Sequence, residues 1–480
     1  MIRLSGIQEL IDALRRELDA ARVEIAALTQ ENAILREENA ELRRRLDKDS
    51  SNSSKPPSSD GLAKKPRVGG SLRAPSGKAS GGQAGHKGGA LRQVADPDFV
   101  VAHEACVCGH CRLPLEPGSA IGVEKRQVFD LPERPLQVWE HRASIYRCAH
   151  CQGTTKAAFP EGVSAPAQYG ERFKAAAIYL NVQQLLPEDR AARTLCDLFG
   201  APSICPASLV GWVGGKDEEL ASVYACIGER VAQEGVRHLD ETGFRVAGKL
   251  QWLHTTSSLA FTFYRAREKR GAIPEDLQGG VVMHDHFAPY RAIATVEHAY
   301  CNAHILRELQ GLIDFDGEAW AALMRDTLLD ANRAVQNARE AGAKALQPEQ
   351  IEAFVERYWE AVRGGLAYHR DLPKVETGAQ RVRKPKRRPG HNLADRLKVF
   401  KDDTLRFMID FDVPFTNNLA EQDLRMMKVK MKISGAFRTL EGAQIFARLR
   451  SVVSTARKHG LNILHTLTAT PSQIIQAFAA

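Results

Sequence analysis

Cys108-Gly-His-Cys111 and Cys148-Ala-His-Cys151 are two Cys-x-x-Cys pairs some tens of residues apart, in a stretch punctuated by proline. Four thiolates from two such knuckles can hold structural Zn2+ tetrahedrally. The gap is longer than in a compact finger and suits a ribbon that carries a hairpin. Cys106 leaves the register of the first pair slightly open. Thiol–disulfide exchange is the competing chemistry, but it expects one pair, after a strand and opening a helix. Here there are two pairs, and Pro114 and Pro117 follow the first.

A second set of residues is acidic. Asp240 ends a short apolar run in His238-Leu-Asp-Glu-Thr-Gly243, and Asp285 ends another in Val281-Val-Met-His-Asp285. Glu421 follows Asn417-Asn418-Leu419-Ala420, near an expected helix start. Carboxylates at the tips of adjacent strands can converge, and three of them make the hard-oxygen shell that Mg2+ (or Mn2+) takes. Such ions support in-line displacement at phosphorus. Strand alternation puts Asp240 and Thr242 on one face and Glu241 on the other, and leaves open which face holds a site. On composition alone Asp402, Asp403, Asp410, Asp412 and Asp423 rival Glu421. Cys301-Asn-Ala-His304 has no obvious metal-binding neighbour in sequence and reads as a local, site-shaping element.

The basic residues complete the inventory. Arg425, Lys428, Lys430, Lys432 and Arg438 follow Glu421; Arg448, Arg450, Arg457 and Lys458 come next; Arg381, Arg383, Lys384, Lys386, Arg387 and Arg388 precede it. Cations around an acidic metal centre suit a phosphodiester substrate. The net charge of +8 favours a polyanionic partner without requiring one.

These residues need elements to position them. Residues 1–48 read as a coiled-coil dimerisation helix: Ile11, Leu18, Ile25, Asn32, Asn39 and Leu46 fall seven apart, with Leu14, Ala21, Leu28, Leu35 and Leu42 in the other core register. Residues 49–94 read as a flexible basic linker in which Lys64, Lys65 and Arg67 are candidate phosphate contacts. The zinc-ribbon-like module takes 95–162, with a β-like run over Gln137–Tyr146. Residues 163–232 are helical, and the expected helices Pro187–Phe199 and Pro206–Val213, joined at Gly200-Ala-Pro202, resemble a helix-turn-helix.

From Val236 the period becomes that of strands: Val236–Asp240, Gln251–Thr256, Ala260–Ala266, Gly280–Asp285 and Val296–Cys301. A catalytic core is expected over 233–460, with a helical insertion at about 305–412 and a tail over 461–480. The fold class is therefore multidomain α+β. No run of about 18 apolar residues suggests a membrane span. The charged start has no signal-peptide character, so a reducing cytoplasm is expected for the nine cysteines.

In order, these pieces resemble the transposase C proteins of insertion-sequence family sixty-six. The resemblance runs through the leading coiled coil, Asn52-Ser-Ser-Lys-Pro-Pro-Ser-Ser-Asp60, Gly81-Gly-Gln-Ala-Gly-His-Lys-Gly88 and the two knuckles. It continues with His238 to Gly243, Asp285 with Pro289-Tyr290, Cys301-x-x-His304, Asn417 to Glu421, Gly442-Ala443 and the stretch from Thr455 to Gly460. It implies a ribonuclease-H-like α/β core with the helical insertion before the last acid, and assigns Asp240, Asp285 and Glu421 as the metal-binding catalytic triad. Cys301, His304, Asn417 and Asn418 then support the site. The implied activity is cleavage at the element's ends and strand transfer to target DNA in the bacterial nucleoid, by a homodimer or higher oligomer with accessory proteins of the same element. A catalytically silent, zinc-containing DNA-binding regulator is the alternative. His286-Phe-Ala288 after Asp285, Met426-Met-Lys-Val-Lys430 after Arg425, and Arg112 after the first knuckle depart from the family pattern.

Overall fold

The computed structural model describes residues 4–48, 52, 91–116, 120–132, 136–274, 276–372 and 387–479. Lys64, Lys65 and Arg67, and Arg381, Arg383, Lys384 and Lys386, lie outside them. The described residues fall into two compact units, divided at 168/169, 191/192 and 204/205. No helix among them is long and apolar enough to cross a membrane.

The first helix, α1 (Leu4–Asp47), has no proline and is rich in Ala, Leu, Glu and Arg, the residues that lose least on entering a helix. Its seam residues Leu14, Leu18, Ile25, Leu28, Leu35 and Leu42 are all exposed. Asn32 and Asn39 donate to the Leu28 and Leu35 carbonyls, both at 3.0 Å.

The Cys-rich unit has little regular structure. The strands β1 (Ile145–Arg147) and β2 (Thr154–Lys156) form an antiparallel hairpin. The β-like run expected from Gln137 becomes strand only at Ile145, and Val138 and Trp139 before it are exposed, without a partner strand to cover them.

Helices α2 (Glu171–Ile178), α3 (Glu188–Phe199), α4 (Pro206–Glu219) and α5 (Ala221–Gln233) lead into the main sheet. α4 runs past its expected end at Val213, straight through Gly214 and Gly215. The sheet holds β3 (Val236–Val246), β4 (Lys249–Ser257), β5 (Thr262–Arg267), β6 (Val281–His284) and β7 (Glu297–Tyr300), in the order β5-β4-β3-β6-β7. β3, β4 and β5 are antiparallel, whereas β6 runs parallel to β3 and β7 parallel to β6. Gly279 and Gly280 turn the chain into β6 with positive φ. A Cβ on Gly280 would lie 2.6 Å from the Gly235 carbonyl oxygen, so only glycine fits there.

After the sheet come α6 (Asn302–Asp316), α7 (Ala319–Glu340), α8 (Pro348–Asp371), α9 (Pro389–Val399) and α10 (Lys401–Ile409). They enclose an apolar core of their own, including Leu309, Met324, Leu328, Tyr358, Val362 and Leu397. Then α11 (Asn418–Ile433), α12 (Leu440–Lys458), α13 (Ile463–Thr468) and α14 (Pro471–Ala477) close the chain. α11 and α12 share with β3–β5 a core containing Phe244, Leu253, Tyr264, Met427, Phe446 and Val453. Each such large apolar side chain contributes about 1.5–3 kcal/mol when fully buried. The opposite face of β3 packs Leu239 against Leu277, Val282, Tyr290 and Ile293. The sheet is thus covered on both sides, and alternate residues of β3 report to different cores.

Candidate active site

That alternation separates Asp240 from Glu241. Glu241 shares the face of Leu239, accepts a hydrogen bond from Tyr290 Oη at 2.6 Å and pairs with Arg270 at 2.8 Å. Its side chain is fully engaged and only 2% exposed. Asp240 lies on the face of His238, Phe244 and Val246, the side covered by α11. It accepts the Glu241 N–H at 2.8 Å, and among the described residues no ion pair reaches it. Asp240 was expected at a strand end, but β3 continues to Val246 because β4 pairs with it from His238 to Val246. The parallel pairing with β6 stops at His238, so Asp240 and Asp285 still flank one notch at the C-terminal ends of β3's and β6's paired stretch.

Electrostatics ties the third acid to that notch. Burial raises the Asp240 carboxyl well above its usual range, and Glu241, Asp285 and Glu421 raise it further. Asp285 is raised by burial and by Glu241, and lowered by the Phe287 N–H that donates to it at 2.8 Å and by Arg270. Glu421, in the first turn of α11, is raised by burial and Asp285, against the pull of Arg307 and Arg425. Four of the five rivals have side-chain partners elsewhere. Asp423 binds Lys458 at 2.9 Å, Ser257 at 2.7 Å and Thr262 at 3.0 Å, while Asp402 pairs with Lys401 and Asp403 with Arg406. Asp410 receives the Asp412 backbone N–H at 2.9 Å in the turn after α10.

Asn417 locks α11 to the sheet. Its Nδ2 donates to the Leu239 carbonyl at 2.8 Å, and its Oδ1 lies 2.9 Å from His238 Nδ1. Burial holds the His238 imidazole near 4, hence neutral, and the only proton that suits this contact is on Nδ1. The Asn417 backbone N–H donates to Cys301 Sγ at 3.2 Å. Asn418 is exposed at the first position of α11.

Cys301, fully buried, precedes α6, and His304 lies in that helix's first turn. Burial, with Glu421, pushes the Cys301 thiol up to about 11, although the amides of Asn417, His304 and Ala303 pull it down. Burial and then Arg307 and Arg396 push the His304 imidazole down to about 3. Its Nδ1 lies 3.9 Å from Glu421 Oε1. His238, Tyr290, Arg270 and Arg307 are site neighbours without an assigned role in the sequence; His238 lies in the motif His238-x-Asp240-Glu241 and Tyr290 in Pro289-Tyr290, and Arg270 and Arg307 carry no local signal.

Both Cys-x-x-Cys pairs sit at hairpin tips, one inside the Val107–Pro114 bridge and one between β1 and β2. Their backbones match. The N–H of Cys108 binds the Leu113 carbonyl at 2.8 Å and that of Arg112 the Cys108 carbonyl at 2.9 Å; Cys148, Gly153 and Gln152 repeat both bonds at the same lengths. Arg112 and Gln152, each following the second cysteine, have φ of 64° and 59°. The amides of Cys111 and His110, and of Cys151 and His150, lower the thiols of Cys108 and Cys148. Two identical turns aim amides at a sulfur, which is the chemistry a metal-ligating thiolate needs.

The basic residues divide. Arg448 is clamped by Asp217 at 2.8 and 3.1 Å, and Arg450 is bonded to the Val182 and Gln183 carbonyls at 3.3 Å. Lys430 bonds Ser434 at 3.0 Å and lies 4.2 Å from the centre of the Phe437 ring. These three, expected to face DNA, are each bonded to the protein's own groups. Arg425, Lys428, Lys432 and Arg438 are exposed, Lys428 with one long bond to the Gly243 carbonyl at 3.4 Å.

A mixed sheet that carries Asp240 and Asp285 at neighbouring positions of β3 and the end of β6, packed against a helix that carries Glu421, defines an α+β protein with a candidate active site, although the ligand atoms of the three acids do not all lie within 4.8 Å of one another. A model of the Transposase IS66 family matches residues 166–445, more than half the chain. The chain belongs to that transposase family. Residues 10–92 match a family of unknown function, DUF6444. Comparison with curated proteins gives no match.

Proposed function

We propose that this transposase cuts and joins DNA with Asp240, Asp285 and Glu421 as its catalytic triad. The observation that carries the reading is the placement of three largely buried carboxylates on β3, the end of β6 and α11: burial raises each, Asp285 and Glu421 raise Asp240 further, and Asp285 acts on Glu421. Buried like charges of this kind fit a divalent cation, because the cation relieves both their repulsion and their desolvation. The strand order, with antiparallel β3–β5 beside parallel β6 and β7, supports a ribonuclease-H-like core. Helices α6–α10, between the second and third acids, are its insertion.

Mg2+ or Mn2+ bound by the three acids supplies the positive charge that activates an attacking oxygen and stabilises a leaving one. In the first step water attacks a phosphodiester at the element's end, its proton passes to solvent, and a 3′ hydroxyl leaves. In the second, that hydroxyl attacks a target phosphodiester and the target's own 3′ oxygen leaves, so no bond to protein forms. Asp240 and Asp285 would hold such an ion from the sheet, and Glu421 from α11. Arg425, exposed beside Glu421, together with Lys428, Lys432 and Arg438, contacts the DNA backbone. Lys64, Lys65 and Arg67 extend that contact. Zn2+ on Cys108, Cys111, Cys148 and Cys151 shapes the module that binds the ends, and α1 pairs two copies so that two ends are handled together.

The test is Mg2+- or Mn2+-dependent joining of a pre-cut 3′-hydroxyl element end to plasmid DNA, comparing wild type with Asp285→Asn. Joining that disappears in the variant is expected. Joining that survives it removes Asp285 from the chemistry.

A further inference from the structure

We infer that Cys301, His304 and Glu421 form a second, softer metal site, one that takes a zinc-class transition ion. Cys301 Sγ, His304 Nδ1 and a Glu421 carboxylate oxygen all lie within 4.8 Å of one another, the one group of three or more possible ligands of these types among the described residues. The ligands come from two helices, and Asn417 fastens both in place, by its backbone to Cys301 and by its side chain to β3. The site is therefore built before any ion arrives.

The dimensions suit zinc. Bonds of about 2.0–2.3 Å in a tetrahedron separate neighbouring ligand atoms by about 3.3–3.8 Å. His304 Nδ1 and Glu421 Oε1 are 3.9 Å apart, so that edge of the shell is already nearly closed. His304 Nδ1 is buried and makes no hydrogen bond, which leaves a costly unsatisfied nitrogen aimed at the cluster. Cys301 immediately precedes α6, which sets its Sγ beside the His304 ring of that helix's first turn.

The donor set decides the metal. One sulfur, one nitrogen and one carboxylate with an open fourth position suit Zn2+ or Co2+, whereas Mg2+ takes oxygen alone. Glu421 is common to this site and to the proposed triad, so a zinc-class ion bound here competes with magnesium for that carboxylate. The existence of the site does not depend on the catalytic assignment.

The experiment uses the full chain with Cys108, Cys111, Cys148 and Cys151 all replaced by Ser, stripped of metal and titrated with Co2+. The expected result is one equivalent bound, with thiolate-to-cobalt charge-transfer absorption and tetrahedral visible bands, both displaced by Zn2+. Adding Cys301→Ser removes the charge-transfer band. Adding His304→Gln or Glu421→Gln weakens Co2+ binding about tenfold or more. Thermal melts by circular dichroism identify any variant that fails to fold, and His304→Gln carries the test if Cys301→Ser does. Absence of the thiolate band, or a band that His304→Gln and Glu421→Gln leave unchanged, overturns the proposal. The spectrum is read without DNA, so failure here leaves the strand-joining result standing, and the reverse holds as well.

Discussion

Asn417→Ala is the sharpest test of how the third acid is held. The side chain joins α11 to β3 through two buried contacts, at 2.8 Å to Leu239 and 2.9 Å to His238. Truncation removes the bond to the Leu239 carbonyl, worth about 0.5–1.5 kcal/mol net, and strands the buried His238 Nδ1–H at a cost of about 1–3 kcal/mol. Together these come to roughly 3 kcal/mol. For a unit of this size, with an unfolding entropy of about 2.1 cal/mol/K per residue, that lowers Tm by about 4–5 °C, a shift that scanning calorimetry resolves. Asn417→Asp is expected to be no milder at neutral pH: it keeps an acceptor for His238 but turns a carboxylate toward a carbonyl, in a region already crowded with acids. A double-mutant cycle with His238→Ala should give a coupling energy of about 1 kcal/mol or more, because the two side chains lose the same bond. Since Glu421 lies one helical turn beyond Asn417, strand joining should fall together with stability. A Tm within 2 °C of wild type, or a coupling energy indistinguishable from zero, refutes the claim that this amide anchors α11.

Three further outcomes follow from the same structure. Asp240, Asp285 and Glu421 have folded-state pKa values raised by burial and by neighbouring carboxylates, Glu241 among them, so the folded state holds their protons more tightly than the unfolded chain does. Their stabilising contribution is complete below the ordinary carboxylate range of about 4 and is lost as pH rises through the raised values. In metal-free protein Tm should therefore fall as pH rises from about 4 toward neutrality, and either Mg2+ or Asp240→Asn should flatten that fall; an unchanged pH profile in Asp240→Asn counts against the cluster. Arg438→Ala should reduce the salt slope of DNA binding by about one, whereas Arg450→Ala should lower Tm and leave the slope alone; the opposite assignment would reverse the division of basic residues made above. The full chain should elute at twice its 53.0 kDa mass, and Leu28→Asp with Leu35→Asp, both on the exposed seam of α1, should halve it; equal masses for the two proteins remove α1 as a pairing helix.

The strands of the sheet were legible because their apolar runs alternate locally, and the knuckles because cysteine spacing is a local signal. Periodicity placed all five strands of the main sheet to within a few residues, apart from β3, whose extension past Asp240 depends on β4 lying beside it. Gln137 to Ala143 shows the converse: a β-like run stays irregular where, among the described residues, no partner strand pairs with it. The choice between Asp240 and Glu241 was hidden in the same way. Period-two alternation separates them, but only Tyr290 and Arg270, many residues downstream, show which face is the neutralised one.

The basic clusters mark the limit of composition as evidence. Arg438 and Arg450 look alike in sequence, and what distinguishes them is whether a carbonyl or a carboxylate from a distant element lies within reach. Arg448 finds Asp217 and Arg450 finds Val182 and Gln183, all contributed by the helices that precede the sheet. The same long-range logic governs Glu421, whose position is set by an amide reaching β3. A charge on this chain becomes available for substrate only where the fold leaves it unpaired, and that is a property of tertiary contacts that sequence spacing does not carry.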